Sequence, residues 1–225
     1  MIQSVCIFGD SVAKGVVFDA VKKKYRILKE SFVNIMERQQ NVSILNFARF
    51  GCTVSMGGEI LKRHETELNR FDYTILEFGG NDCDYNWAEV SRDPFRQHLC
   101  NTPIPQFREK YMELIGLVQK NGGRPVLLNL PPIDPKRYFR WISKGLDKTN
   151  ILAFLGEIET IYRWQEMYSK EVEELAVKEK IPFIDIRSGF LNKKNFSDYL
   201  CADGIHPNEK GHLLISRAIR ESAFS

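Results

Sequence analysis

Short apolar runs alternate with longer segments of helical hydrophobic spacing along most of the chain. The runs are Val5 to Phe8, Val42 to Phe47, Tyr73 to Phe78, Pro125 to Leu130 and Pro182 to Ile186. Each is bounded by turn residues, the pattern of a strand buried on both faces. Between them Leu28, Phe32, Ile35 and Met36 form one stripe, and Phe107, Tyr111, Leu114, Ile115 and Val118 form another. A third helical segment carries Ile158, Ile161, Tyr162, Tyr168, Val172 and Leu175. A last one follows Pro207 and Asn208, a helix start signal, and carries Leu214, Ile215, Ala218 and Ile219. The alternation predicts an α/β fold in which a five-stranded parallel sheet is covered by helices on both faces. That is a three-layer α/β/α sandwich, expected to occupy residues 1–225 as a single domain. The apolar stripes are read as core.

Such a sheet concentrates function beyond the carboxyl ends of its strands. After the first run comes Gly9-Asp10-Ser11, and shortly after the second comes Arg49-Phe50-Gly51-Cys52-Thr53. The third is followed by Gly79-Gly80-Asn81-Asp82 and the fourth by Pro131-Pro132. Farther beyond the fifth lies Asp203-Gly204-Ile205-His206-Pro207. The predicted fold therefore delivers a serine, glycines, an asparagine, aspartates and a histidine to one edge.

Composition narrows the classes of function. A chain of 225 residues with 43% hydrophobic and 27% charged residues is that of a soluble globular domain. At this size a domain buries roughly 70% of its unfolded surface and needs no staples. The net charge of +3 is spread along the chain, with short clusters such as Lys22-Lys23-Lys24, and predicts no nucleic-acid footprint. No apolar run reaches the roughly 18 residues of a membrane span. Met1 leads almost directly into Val5-Cys6-Ile7-Phe8 without a leader pattern, so a cytoplasmic protein is expected. The five cysteines, Cys6, Cys52, Cys83, Cys100 and Cys201, contain no C-x-x-C pair, which argues against a zinc site or a disulfide framework. Cys52, Cys83 and Cys201 are read as small buried side chains.

A serine hydroxyl becomes a useful nucleophile only when a base takes its proton, and histidine is the usual base near neutral pH. The histidine needs a carboxylate to fix its tautomer. Asp203 and His206 are three residues apart, so one turn brings the carboxylate to one ring nitrogen and leaves the other for Ser11. An acyl-transfer site also needs donors for a developing oxyanion. The Ser11 and Gly51 backbone N–H groups and the Asn81 amide can supply them. Taken singly, Gly-Asp-Ser reads as a turn and helix cap, Asn81-Asp82 as a loop, and Asp203 with His206 as a cap. Their joint placement at successive strand ends favours chemistry.

These residues resemble the blocks of the GDSL, or SGNH, family of serine esterases and lipases. Phe8-Gly9-Asp10-Ser11, the glycine of Asn46-Phe47-Ala48-Arg49-Phe50-Gly51, Gly79-Gly80-Asn81-Asp82 and Asp203-Gly204-Ile205-His206-Pro207 match in order. The resemblance implies a Ser11 nucleophile, a His206 base, an Asp203 partner and an oxyanion hole of Ser11, Gly51 and Asn81. It also implies a flavodoxin-like sheet and no cofactor. Val12 stands where the motif has leucine, and the G-x-S-x-G elbow of the α/β-hydrolases is absent.

Two other classes fit parts of the pattern. A metal-dependent phosphoesterase could draw on Asp10, Asp82, Asp84, Asp203 and His206, but such sites usually use several histidines. The chain has four. His64 is expected on an exposed helix face, His98 in a polar loop and His212 in a structural or solvent role, so no metal is expected. A non-catalytic binding module would lack the serine or the histidine. The pairs Gly57-Gly58 and Gly122-Gly123 are read as turns or a helix end, not as a phosphate cradle.

Two loops leave the catalytic edge, one from Asp84 through Pro105 and one from Pro131 through Trp141. Asp10, Tyr85, Trp87, Tyr138 and Trp141 are the candidate substrate-binding residues. Aromatic rings beside polar groups suit short-chain or O-acetyl esters, such as acetylated carbohydrates. A lysophospholipase or acyl-thioesterase acting on longer chains is the alternative. The partner expected is a small-molecule ester.

Overall fold

The structure is a computed structural model that describes residues 2–222. In chain order the elements open with β1 (Ser4–Gly9), α1 (Ser11–Lys14), β2 (Val16–Asp19), β3 (Lys24–Ile27) and α2 (Phe32–Gln40). Next come β4 (Ser43–Asn46), α3 (Val54–Arg63), β5 (Tyr73–Glu77), α4 (Trp87–Arg92), α5 (Ile104–Lys120) and β6 (Pro125–Leu128). The chain continues through α6 (Pro135–Ile142), α7 (Lys148–Leu155), α8 (Thr160–Glu179), β7 (Phe183–Ile184), α9 (Arg187–Leu191) and α10 (Glu209–Ser222).

Among the described residues β4, β1, β5, β6 and β7 form, in that spatial order, a five-stranded parallel sheet. Alternating side chains within a strand face opposite layers. Cys6, Phe8 and Leu76 join Phe107, Tyr111, Val172 and Leu175 on one side. Val5, Ile7 and Ile75 join Phe32, Met36, Ile215 and Ile219 on the other. The runs are apolar throughout because both faces are covered, and the expected α/β sandwich follows. All five predicted strands are present, although the last is confined to Phe183–Ile184. No helix among the described residues is long and apolar enough to cross a membrane.

Several expectations are corrected. The segments after β5 and β6 are not loops throughout; they carry α4 and α6. Asn86 caps α4 by accepting from Glu89 N, and its own amide donates to Glu89 Oε1 at 2.9 Å. Asp134 caps α6 ahead of Pro135, whose fixed φ suits a first helical position. With α7 and the start of α8 these helices enclose an aromatic-rich cluster of Trp87, Tyr138, Phe139, Ile151 and Leu155.

The second correction is the antiparallel hairpin β2–β3, in which Val17 pairs with Arg26 and Phe18 with Tyr25. Its tip is held by Asp19 Oδ1, which accepts from Val21 N at 3.0 Å and Lys22 N at 2.9 Å. Leu28 packs with Val17 and Cys201 instead of joining α2, which starts after the Ser31 cap. Ile158 likewise precedes α8. Gly57 and Gly58 lie inside α3, not in a turn, and a Cβ on Gly57 would meet the Phe78 ring at 2.3 Å. The glycine is what lets α3 approach the sheet so closely. His64 ends α3 half-buried, its ring centroid 4.0 Å from that of Phe47.

His212 is fully buried on α10, stacked on Phe32, and its Nδ1 accepts from Phe32 N at 3.3 Å. Burial pushes this imidazole down from its ordinary 6.5 to about 3. The unfolded chain therefore binds a proton at mildly acid pH that the folded chain refuses, so stability falls as pH drops below the ordinary value. His212→Gln keeps an acceptor for Phe32 N–H without titrating. Between about pH 7 and about pH 5 its urea midpoint should fall less than that of the wild type. Parallel slopes in the two proteins would refute this account.

Candidate active site

β1 lies between β4 and β5, so the strand order reverses there. A crevice opens at such a reversal, beyond the strand ends. The chain leaves β1 through Asp10, whose carboxylate accepts from Val12 N at 2.8 Å and caps the short α1. Ser11 is the first residue of that helix. Gly9 leaves no room for a side chain, since a Cβ there would meet Ala13 Cβ at 2.8 Å and Glu77 O at 2.9 Å.

A second loop faces Ser11. Cys201 N donates to His206 O at 2.8 Å, closing a turn around Asp203 to Ile205. Asp203 Oδ1 accepts from the backbone of Ile205 and of His206, both at 3.2 Å. Asp203 Oδ2 lies 2.7 Å from His206 Nδ1, and His206 Nε2 lies 2.9 Å from Ser11 Oγ. All three side chains are buried. With the carboxylate accepting from Nδ1–H, Nε2 is the acceptor that the serine hydroxyl meets. This arrangement can move a proton from serine to imidazole and hold the imidazolium that results.

The expected oxyanion donors converge on the same edge. Gly51 occupies a turn with φ of +71°, a left-handed conformation that favours glycine. Asn81 Nδ2 donates to Asp10 Oδ2 at 3.1 Å and to Cys52 O at 3.2 Å. The amide thereby ties together the loops that follow β1, β4 and β5. Asp82 sits behind it, accepting from Val54 N at 3.0 Å, and its burial pushes the carboxyl up to about 6.

A cleft runs from Ser11 and His206 under α4, α6 and the start of α8. Asp10, Trp87 and Tyr138 line it as expected. Tyr85 and Trp141 do not. Tyr85 packs on Trp164, 4.9 Å between centroids, and faces a neighbouring cavity; Trp141 packs on Phe18 at 4.5 Å. The helix phase of α6 separates Trp141 from Tyr138, a distinction invisible while the segment is read as a loop. Sequence reasoning missed Asp84, Ile133, Trp164 and Gln165 as cleft residues. Asp84 accepts from Trp87 Nε1 at 2.7 Å and lies beside the Tyr138 hydroxyl, whose pKa is pushed up by burial first and by the Asp84 charge second. Ile161, buried in the aromatic-rich cluster as the core reading expects, also lines the cleft. Cys52 and Cys201 are buried as expected, whereas Cys83 is only half-buried and lines the cleft. Among the described residues no three His, Cys, Asp or Glu side chains gather to hold a metal ion.

A model of the GDSL-like lipase/acylhydrolase family matches residues 7–214. The chain belongs to that family. Part of it is 24% identical to the isoamyl acetate-hydrolyzing esterase of Saccharomyces cerevisiae over 113 residues, which are 50% of this chain and 44% of the yeast protein. The match therefore spans less than half the length of that relative. A lipase/acylhydrolase from Enterococcus faecalis superposes with a TM-score of 0.64 at 20% identity, covering 97% of this chain and 93% of that one. A carbohydrate acetylesterase family member from Sinorhizobium meliloti superposes at 0.67 and 14% identity, covering 97% and 95%. These likenesses show that the fold is shared.

In this GDSL-like chain the residue before the serine is half of a buried carboxyl pair. Glu77 Oε2 accepts from Asp10 N and Ala13 N, both at 3.3 Å, while its buried Oε1 has no hydrogen-bond partner. Burial first, and the Asp10 charge second, push Glu77 well above the usual carboxylate range. A proton held by Glu77 stabilises the fold at low pH, and that stabilisation is lost as pH rises through the folded-state value. Glu77→Gln replaces the proton with a permanent N–H. Its thermal midpoint should decline less than that of the wild type between about pH 6 and about pH 9. Equal declines would show that Glu77 holds no such proton.

Proposed function

We propose that the protein is a cofactor-independent serine ester hydrolase. The observation that carries this reading is the unbroken series Ser11 Oγ–His206 Nε2 at 2.9 Å and His206 Nδ1–Asp203 Oδ2 at 2.7 Å. Ser11 attacks the ester carbonyl as His206 takes its proton, and Asp203 stabilises the imidazolium. The tetrahedral oxyanion is held by the Ser11 and Gly51 N–H groups and by Asn81 Nδ2, one of whose hydrogens turns from the Cys52 carbonyl to the stronger acceptor. His206 returns the proton to the leaving alcohol. Water, activated by the same imidazole, then cleaves the acyl-enzyme.

The substrate side of the cleft favours short acyl groups. Its volume is about 70 Å³, where one water needs about 10–15 Å³ on the same measure, so roughly five water-sized groups fit. Leu130, Ile133 and Ile161 make its walls largely apolar, as an acyl chain requires. On the other side of His206 the Phe50 ring is 54% exposed and offers a flat face to a leaving group such as a sugar. Acetate esters, including O-acetylated carbohydrates, meet both conditions. The names of the yeast esterase and of the Sinorhizobium neighbour are consistent with acetyl substrates.

One observation favours a second reading. A cavity of about 260 Å³ adjoins the cleft, and both are lined by Cys83 and Trp164. Without that partition the cleft would extend far enough for a longer acyl chain, as a lysophospholipase or acyl-thioesterase needs.

Hydrolysis of p-nitrophenyl esters of increasing acyl length tests the proposal. The wild type should prefer acetate or butyrate, and Ser11→Ala should lose at least about 10³-fold in kcat while keeping its fold. Retained turnover in that variant would end the serine mechanism; a wild-type preference for long chains would favour the second reading. In Trp164→Ala the optimum should move toward octanoate. An unchanged optimum would show that Trp164 does not limit chain length.

A further inference from the structure

The hairpin that follows α1 folds back over the catalytic histidine. Gly15 ends α1 and its carbonyl accepts from Leu28 N at 2.8 Å, so the base of the hairpin is fixed next to the helix that starts at Ser11. Val17 and Leu28 bury themselves against Cys201, at the start of the loop that carries Asp203 and His206. One side of the hairpin thus rests on each half of the site.

This placement brings Tyr25 onto the imidazole. The two ring centroids are 5.2 Å apart at an interplanar angle of 63°, an edge-on contact. Phe50 covers the ring from another side, stacked at 5.9 Å and 15°. Tyr25 itself is wedged between Phe50 at 5.1 Å and Phe18 at 5.3 Å, and Phe18 packs on Trp141. The Tyr25 hydroxyl lies beside the Asp203 carboxylate: burial first and that charge second push the phenol up.

We propose that Tyr25 is a positioning residue for His206, acting through Asp203 and through the edge of its own ring. Asp203 is wholly buried, and a buried carboxylate must have its lone pairs met by donors. Two backbone N–H groups occupy Oδ1 and the imidazole N–H occupies Oδ2; the Tyr25 hydroxyl supplies a further donor from outside the loop. It holds the carboxylate plane against rotation and keeps water from the Asp203–His206 bond. The ring edge restricts the imidazole to the orientation in which Nε2 faces Ser11. The roles of Trp141 and Phe18 follow: they hold Tyr25.

The inference rests on the Ser11–His206–Asp203 assignment proposed above, and its test separates the two. Tyr25→Phe keeps the ring and removes the donor. Its kcat should fall about tenfold, the cost of one hydrogen bond, with KM within about twofold of the wild type. Proton NMR supplies a readout independent of turnover. The low-field signal of the His206 Nδ1–H, identified by its loss in His206→Gln, should move and exchange faster in Tyr25→Phe. Tyr25→Leu, lacking ring and hydroxyl, should lose more kcat than Tyr25→Phe and exchange faster still. An unchanged kcat and an unchanged low-field signal in Tyr25→Phe would overturn the proposal. Full activity in Ser11→Ala would instead overturn the assignment on which it rests.

Discussion

β1 pairs in parallel with β4 on one side and with β5 on the other, and most of the site follows from that pairing. Parallel neighbours must be joined by crossovers, so all strands end on the same edge and each crossover starts there. At the position of β1 the crossovers diverge to opposite faces, and the loops after β1, β4 and β5 are left facing one another. Asp10, Cys52 and Asn81 come from those three loops, and the Asn81 amide bonds to the other two. A sheet with an antiparallel strand at this position would send one of those loops to the far end. The serine, the glycine turn and the amide are therefore neighbours because of strand direction, before any local sequence preference acts.

The same edge carries an unusual load of buried carboxyl groups: Asp10, Glu77, Asp82 and Asp203 are all at or below 2% exposure. Isolated carboxylates at such depth would cost several kcal/mol each. Each is held by backbone N–H groups: Val12 for Asp10, Ala13 for Glu77, Val54 for Asp82, and Ile205 with His206 for Asp203. The first three of these donors lie at the starts of α1 and α3, where N–H groups have no partner inside the helix. The two features offset each other. Helix ends that would otherwise be buried without acceptors receive carboxylates, and the carboxylates receive donors fixed by the backbone. Glu77 is the exception: one of its oxygens has no donor, and burial beside Asp10 pushes its carboxyl well above the usual carboxylate range, favouring the protonated form.

Legibility in the sequence tracked how each element is stabilised. The strands could be read because burial on both faces makes them apolar at every position. The site could be read because its residues sit immediately beyond those strands. The cap was not legible. α4 and α6 are each shorter than the roughly 12–15 residues at which a helix gains stability of its own, so neither leaves a sustained periodic pattern. They form because Asn86 and Asp134 cap them and because their aromatic side chains pack together. The hairpin was hidden for a related reason. Its strands alternate little, and the Lys22-Lys23-Lys24 cluster at its tip reads as a solvated loop; its contacts are to Cys201 and to rings distant in sequence. Tyr85 and Trp141 were misplaced because choosing the side chains that face the cleft requires the helix phase, and the phase requires knowing that a helix is there.

The division between sheet and cap also separates two properties that an enzyme must set. Ser11, Asn81, Asp203 and His206 are placed first by strand ends and by the backbone groups of the loops around them. The walls of the cleft come from side chains of α4, α6 and α8, which meet in an aromatic cluster of their own apart from the two layers that flank the sheet. Substitution within that cluster alters volume near the substrate without disturbing the sheet core. Asp84 is the exception that joins the halves. It follows the Gly79–Asp82 loop by two residues and yet accepts from Trp87 of α4 and lies beside the Tyr138 hydroxyl of α6. Through it the width of the cleft is referenced to the loop that carries Asn81.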